Sequence, residues 1–342
     1  DLRTGKAPKT NLLLYNPAKD RELSPKEISR VVLKVMPGKY SEAKSLILPS
    51  DISFTGSGAS ETLLVGVNPK EPVLSIAGVK NVSISGFRII PSALQSSETG
   101  TVDIKKSNQV VFLNNLVEAK GGSAIQINQS KNIGVFGNSF TAGSSKGIWC
   151  KQSGLVLEAN SFLGEWPQAI SVDSGCGLDA KRNLFMQNKV SVAVSGTAER
   201  LHLEYNSFLQ NIAGVRFFSN LPSSLLFDYN IFFQNLYAIF GSRAVVAKKF
   251  GRNAVWKSRV VFGGRPEKFI PLELAQPQFL NPEKYDFRIK PNSSLAVGNT
   301  EDSIDFGAYQ RTDFLGKFSP QVIKTLEVAT GQKGLAASWG YK

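Results

Sequence analysis

Asparagine recurs at positions 115, 138, 160, 183, 206, 230 and 253, in steps of 23, 22, 23, 23, 24 and 23 residues. Two residues after each stands a bulky apolar side chain: Val117, Phe140, Phe162, Phe185, Phe208, Phe232 and Val255. Self-similarity at a fixed period of this length is the signature of a solenoid. Each repeat is then one coil, and residues at equivalent positions form columns along the molecule.

Around each Asn the pattern alternates at period two. About ten residues after it comes a small-apolar-x-apolar segment, as in Ala124–Ile127, Gly147–Cys150, Ala169–Val172 and Gly214–Phe217. Before it comes another alternating stretch, such as Leu155–Leu157 or Leu201–Leu203. Period two means half-buried strands. A coil of this length holds about three short strands and three bends, with no helix. Leucine-rich repeats have similar length but need a leucine frame that is absent here. Asn tolerates the left-handed backbone of a sharp bend, so the Asn column is expected to occupy one. At a spacing of ~4.8 Å its amides form a buried hydrogen-bonded ladder. A shorter second column stands at Asn188, Asn211 and Asn235. Asn and Phe therefore build the fold and are not site residues.

The chain resembles the right-handed parallel β-helices of the pectate-lyase-like superfamily, most closely its secreted bacterial members. The motifs that carry the resemblance are Pro37-Gly38-Lys39-Tyr40, Ile52–Gly58 and Val79–Ile89 near the start, with Gln276–Phe279, Tyr285–Ile289 and Asp305–Tyr309 near the end. The resemblance implies an all-β, single right-handed parallel β-helix of about ten coils. The expected division of this one continuous domain is an N-terminal cap with first coils over 1–78, regular coils over 79–270, and final coils with a capping segment over 271–342. Residues 319–326 are expected to form a short closing helix. The resemblance also implies export to a secreted, periplasmic or cell-surface location. No signal peptide and no apolar run of membrane length is visible.

Cys150 falls in the inward column of Ile127 and Val172, whereas Cys176 lies four residues beyond that column. Stacked positions, not offset ones, bring Cβ atoms within disulfide reach, so two free, partly buried thiols are expected. The net charge is +13, and between Arg243 and Lys268 eight basic residues face one acidic residue, Glu267. Such a patch attracts polyanions. Lys248, Lys249, Arg252, Trp256 and Lys257 are its candidate binding residues. Trp256 is its one aromatic side chain expected on the same face for stacking on a base, so no nucleic acid is expected. Acidic polysaccharide or envelope glycan is the expected partner; monomer and homotrimer both stay open.

In the superfamily the acting face is the strand after the bend that follows the Asn–Phe segment. Its outward pairs here are Asp103/Lys105, Gln126/Asn128, Trp149/Lys151, Ser171/Asp173, Ala193/Ser195 and Arg216/Phe218. Polysaccharide lyases of this fold use Lys or Arg as base, often with Ca²⁺. On that template Lys151 is the base, Arg216 the carboxylate partner or acid, Asp173 a direct neighbour of Lys151, and Trp149, Gln126 and Asn128 the sugar-binding residues. No cofactor or metal is expected, because calcium needs converging carboxylates and this face offers only Asp103 and Asp173. Short loops, six residues between Phe162 and Ala169 and five between Phe208 and Gly214, leave a shallow open face without cleft walls. Glycan binding without strong catalysis is the leading expectation. A uronate lyase or epimerase and a structural or adhesin module are the alternatives. His202, the sole histidine, is expected to point outward beside Asp179, either as a general base between carboxylates or as a member of a solvated charge ladder.

Overall fold

The computed structural model describes residues 12–14, 31–141, 145–219, 221–241, 250–263, 265–266, 272–273, 276–281, 286–296 and 306–308. Lys248, Lys249 and the expected helix over 319–326 lie outside them.

Every described strand is short, and each full coil contributes one strand to each of three sheets. In the coil that starts at Lys131 these are Lys131–Phe136 in sheet 1, Ser139–Thr141 in sheet 2 and Lys146–Lys151 in sheet 3. Sheet 1 has ten strands, and sheets 2 and 3 have eleven each. Pairing is parallel except at Leu12–Leu14 with Val31–Lys34, at Arg259–Phe262 with Arg265–Pro266, and in a separate two-stranded sheet of Phe279–Asn281 with Asp286–Ile289. The result is an all-β solenoid of about ten turns, with no helix among the described residues.

The core is the inside of the tube, built from stacked columns. Val110, Ile133, Leu155, Leu178 and Leu201 stack in sheet 1, and Ile125, Ile148, Ile170, Val192 and Val215 stack in sheet 3. All ten are fully buried. Phe140, Phe162, Phe185, Phe208 and Phe232 stack face to face at 4.6 to 5.1 Å between ring centroids. This stack explains the small residue at the second position of these sheet-3 strands. A Cβ on Gly214 would lie 2.9 Å from the Phe232 ring, and one on Gly147 would sit 3.3 Å from Phe162 and collide with the Ala169 carbonyl.

The Asn ladder forms as expected. Each Oδ1 accepts both the backbone N–H and the side-chain Nδ2 of the Asn one coil earlier, the Nδ2 bonds running from 2.8 to 3.1 Å between Asn115 and Asn253. The left-handed residue, however, is the one before each Asn from 115 to 230: Asn114, Gly137, Ala159, Arg182, Tyr205 and Tyr229, with φ from 53° to 63°. The kink must precede the ladder residue, because the Asn itself has to aim its amide into the tube. The same device builds the other bends. Gln187, Gln210 and Gln234 are left-handed before the second ladder of Asn188, Asn211 and Asn235, which ends on Ser258. Lys106, Gln129, Gln152 and Gly175 are left-handed before Ser107, Ser130, Ser153 and Cys176. In that third column the Ser107 and Ser130 N–H groups donate to the next serine Oγ at 3.1 and 3.0 Å.

The third column overturns the expectation of two free thiols. Cys150 and Cys176 form a disulfide with Cα atoms 5.8 Å apart, and both are fully buried. The offset of four residues was measured along an extended chain. The bend at Gly175 (φ 71°) turns the backbone so that Cys176, in the serine slot, points back into the tube beside Cys150.

Outside the tube, the described C-terminal residues lie against sheet 2. Phe279, Phe287, Ile289, Leu295 and Phe306 form a second apolar cluster with the outward Leu163, Leu184, Met186, Leu209 and Ile231. The Ala308 N–H donates to Ser207 Oγ at 2.9 Å and the Gly307 N–H to the Tyr229 carbonyl. These contacts cover the outer face of sheet 2 along the strands that carry Leu163 to Ile231.

Candidate functional site

On sheet 3 the outward residues align in the register read from the repeat: Asp103, Gln126, Trp149, Ser171, Ala193, Arg216 and Phe240 stand side by side. Lys105, Asn128 and Lys151 form the parallel column. Lys146, Gln168, Val190, Ala213 and Tyr237 occupy corresponding positions near the start of each strand.

The face is not the open strip that short loops suggested. Its middle is packed: Ser171, Val190, Ala193 and Ala213 are buried, the last three forming an apolar cluster with Tyr237. Larger side chains stand on either side. Towards the C-terminal coils, Arg216 lies over the Phe218 ring at 4.3 Å and the Phe240 ring at 5.4 Å. Three coils away, about 14 Å, the Lys146 ammonium sits 4.3 Å from the Trp149 ring centroid.

Lys146 is the titratable group that the sequence reading missed. Burial lowers its pKa from the ordinary lysine value, while the Asp173 carboxylate pulls the other way. Asp173 also accepts from the Ser174 N–H at 2.7 Å. Lys146 opens its strand, three residues before the x position of the small-apolar-x-apolar motif at Trp149. A reading confined to those positions passes over it, although its spacing from Trp149 is visible in the sequence.

On the strands of this face from Asp103 to Gln168, four buried polar atoms have no hydrogen-bond partner: Asp103 Oδ1, Asn128 Oδ1, Trp149 Nε1 and Gln168 Oε1. The other carboxylate oxygen of Asp103 pairs with Lys105 at 2.7 Å. Gln126 is nine-tenths buried beside Trp149, and Asn128 pairs in register with Lys151. Thus Gln126, Asn128, Trp149 and Lys151 come together on adjacent coils, with Asp173 close by and Arg216 apart.

Residues of the basic segment stand elsewhere. Arg252 lies 5.8 Å from the Tyr229 ring and 6.0 Å from Phe306, and its N–H donates to Asp228 Oδ1. Trp256 pairs with Phe233 in sheet 2, and Lys257 is the left-handed residue of the following bend. These three face a different side of the tube from Lys146 and Trp149. Among the described residues no group of three or more His, Cys, Asp or Glu side chains is placed to hold a metal ion. Nor is any described helix long and apolar enough to cross a membrane.

The family model for a right handed beta helix region matches residues 74–242. The protein is a right-handed parallel β-helix. No curated protein sequence matches the chain. Among solved structures, this β-helix is similar to ORF18 of Geobacillus virus E2, with 15% identity and a TM-score of 0.43 over 73% of the chain and 53% of the viral one. It thus spans about half the length of that relative. It is also similar to a hyperthermoactive exopolygalacturonase from Thermotoga maritima, with 9% identity and a TM-score of 0.41 over 69% of this chain and 85% of that one. A third likeness is to PfbA, a surface adhesin of Streptococcus pneumoniae, with 14% identity and a TM-score of 0.36 over 67% and 80% of the two chains. At these values the likeness is one of fold.

Proposed function

We propose that this β-helix binds acidic glycan along the first coils of its sheet-3 face, without needing a metal. The observation that carries the reading is the grouping of Lys105, Lys146 and Lys151 with the unpaired buried atoms of Asp103, Asn128, Trp149 and Gln168. A buried polar atom without a partner costs ~1–3 kcal/mol. Sugar hydroxyls and their bridging waters supply both donors and acceptors to such atoms. The three ammonium groups answer the carboxylates or sulfates of the polymer. The Trp149 ring already carries the Lys146 ammonium, so a sugar ring docking there displaces it towards the anion. Export fits this reading, since a buried disulfide forms and persists in an oxidising compartment.

A second reading, a uronate lyase, is favoured by one observation. A desolvated lysine whose pKa is lowered is what proton abstraction beside a carboxylate requires, and that lysine is Lys146. Arg216, three coils distant and stacked on two phenylalanines, would engage a different sugar from the one at Lys146.

The test is a panel of alginate, polygalacturonate, heparin-like and teichoic polymers, measured for binding at low and high salt and for the ultraviolet absorbance of unsaturated products. Binding that weakens in salt and in Lys146→Ala or Lys151→Ala, with no absorbance rise, is expected. An absorbance rise abolished in Lys146→Ala makes the protein a lyase. Neither signal overturns both readings and leaves a structural module.

A further inference from the structure

Sheet 1 carries a second constellation, independent of the glycan-binding face. Its strands Gly177–Lys181, Arg200–Glu204 and Ser224–Asp228 are consecutive and parallel, placing Asp179 opposite His202 and Arg200 opposite Ser224. His202 Nδ1 lies 3.0 Å from Asp179 Oδ1, and His202 Nε2 lies 2.8 Å from Ser224 Oγ. Asp179 is gripped by Arg200, whose Nε donates to Oδ1 at 2.9 Å and Nη2 to Oδ2 at 2.6 Å.

From this geometry we propose that Ser224, His202 and Asp179 form a nucleophilic site that hydrolyses short acyl esters. The order of roles follows from the donors. An ionised carboxylate only accepts, so in the neutral imidazole the hydrogen resides on Nδ1, facing Asp179. Nε2 is then the acceptor, and the Ser224 hydroxyl donates to it. That is the orientation in which an imidazole serves as base for a serine nucleophile, and the constellation is recognised by geometry, not by sequence order. Arg200 fixes both carboxylate oxygens, so Asp179 cannot rotate away from the ring.

The chemistry balances without any co-reactant but water. Ser224 Oγ attacks the ester carbonyl while its proton passes to His202 Nε2. The carbon–oxygen bond to the alcohol breaks, and the alcohol leaves with that proton. Water then attacks the acyl-serine, again giving a proton to Nε2, and the carboxylic acid departs as the proton returns to Oγ. Ser224 is exposed at the start of its strand, so the site takes an acyl group presented from outside, such as an acetyl ester projecting from a polymer.

The experiment uses the whole chain with two probes, a fluorophosphonate and p-nitrophenyl acetate. Expected results are a fluorophosphonate adduct on Ser224 by peptide mass spectrometry and saturable ester hydrolysis. Ser224→Ala, which removes one exposed hydroxyl and leaves the core untouched, should abolish both. His202→Gln should reduce hydrolysis by ~100-fold or more, the usual span for general base catalysis. The proposal fails if folded protein takes no label, if the label is on another residue, or if His202→Gln reacts as fast as the parent. Any of these outcomes makes the constellation a polar surface ladder only.

Discussion

Lys146 shows how one position in a repeat acquires properties that its neighbours lack. It lies over the Trp149 ring and is partly stripped of water, so its charged form is penalised, while Asp173 supports that form. The signs give an expected outcome. The ammonium should titrate below the ordinary lysine value of about 10.4, followed by NMR of its terminal methylene. Asp173→Asn removes the raising influence and should lower the midpoint further; a midpoint that rises in this variant would contradict the arrangement. At the same scale, the left-handed Ala159, Arg182, Tyr205 and Tyr229 accept a backbone that costs about 1–2 kcal/mol in L-residues. What offsets that cost is the ladder amide each of them delivers to the interior.

Along each column the energetics depend on neighbours. Asn183 Oδ1 accepts from both the N–H and the Nδ2 of Asn160, at 3.0 Å each. Asn183→Leu therefore strands two buried donors in the preceding coil as well as losing its own bonds. The expected loss is ~2–5 kcal/mol, at 1–3 kcal/mol per stranded group, read by chemical denaturation. The terminal rung, Asn253, should cost less, because its side chain accepts from Asn230 but donates only to backbone carbonyls. The disulfide joins two coils, with 26 residues of sequence separation. Closing a loop of that size stabilises by ~3–4 kcal/mol in the chain-entropy account. The paired variant Cys150→Ser/Cys176→Ser should lower the denaturation midpoint accordingly, while reductant should leave the variant unaffected.

For the molecule as a whole, a rigid tube with one outer face covered divides its surface into separate working sides. Phe279, Phe287, Ile289, Leu295 and Phe306 pack on part of sheet 2, sheet 3 holds the lysine–tryptophan group, and sheet 1 holds the His202 constellation. A net charge of +13 draws acidic polymers to the surface at long range. Glycan affinity should therefore fall as salt is raised from 0.05 to about 0.5 M, where screening shortens to a few ångströms. Affinity insensitive to salt would assign recognition to the neutral polar atoms alone.

The chain's own periodicity determined the solenoid, its three strands per coil, the Asn ladders, the phenylalanine stack and the sheet-3 register. Each of these depends on a residue type recurring at one interval, and an interval is a property of sequence. The serine column at 107, 130 and 153, continued by Cys176 at the same step of 23, is an interval of the same kind. Only the tertiary structure decided the rest. A bend redirects side chains by an amount that counting residues does not give, and this placed Cys176 beside Cys150. Burial of the sheet-3 centre and the desolvation of Lys146 come from how long side chains lie across short neighbours. The separation of Arg252, Trp256 and Lys257 from Lys146 follows from which side of the tube each strand faces, a three-dimensional fact that a linear cluster of charges does not contain.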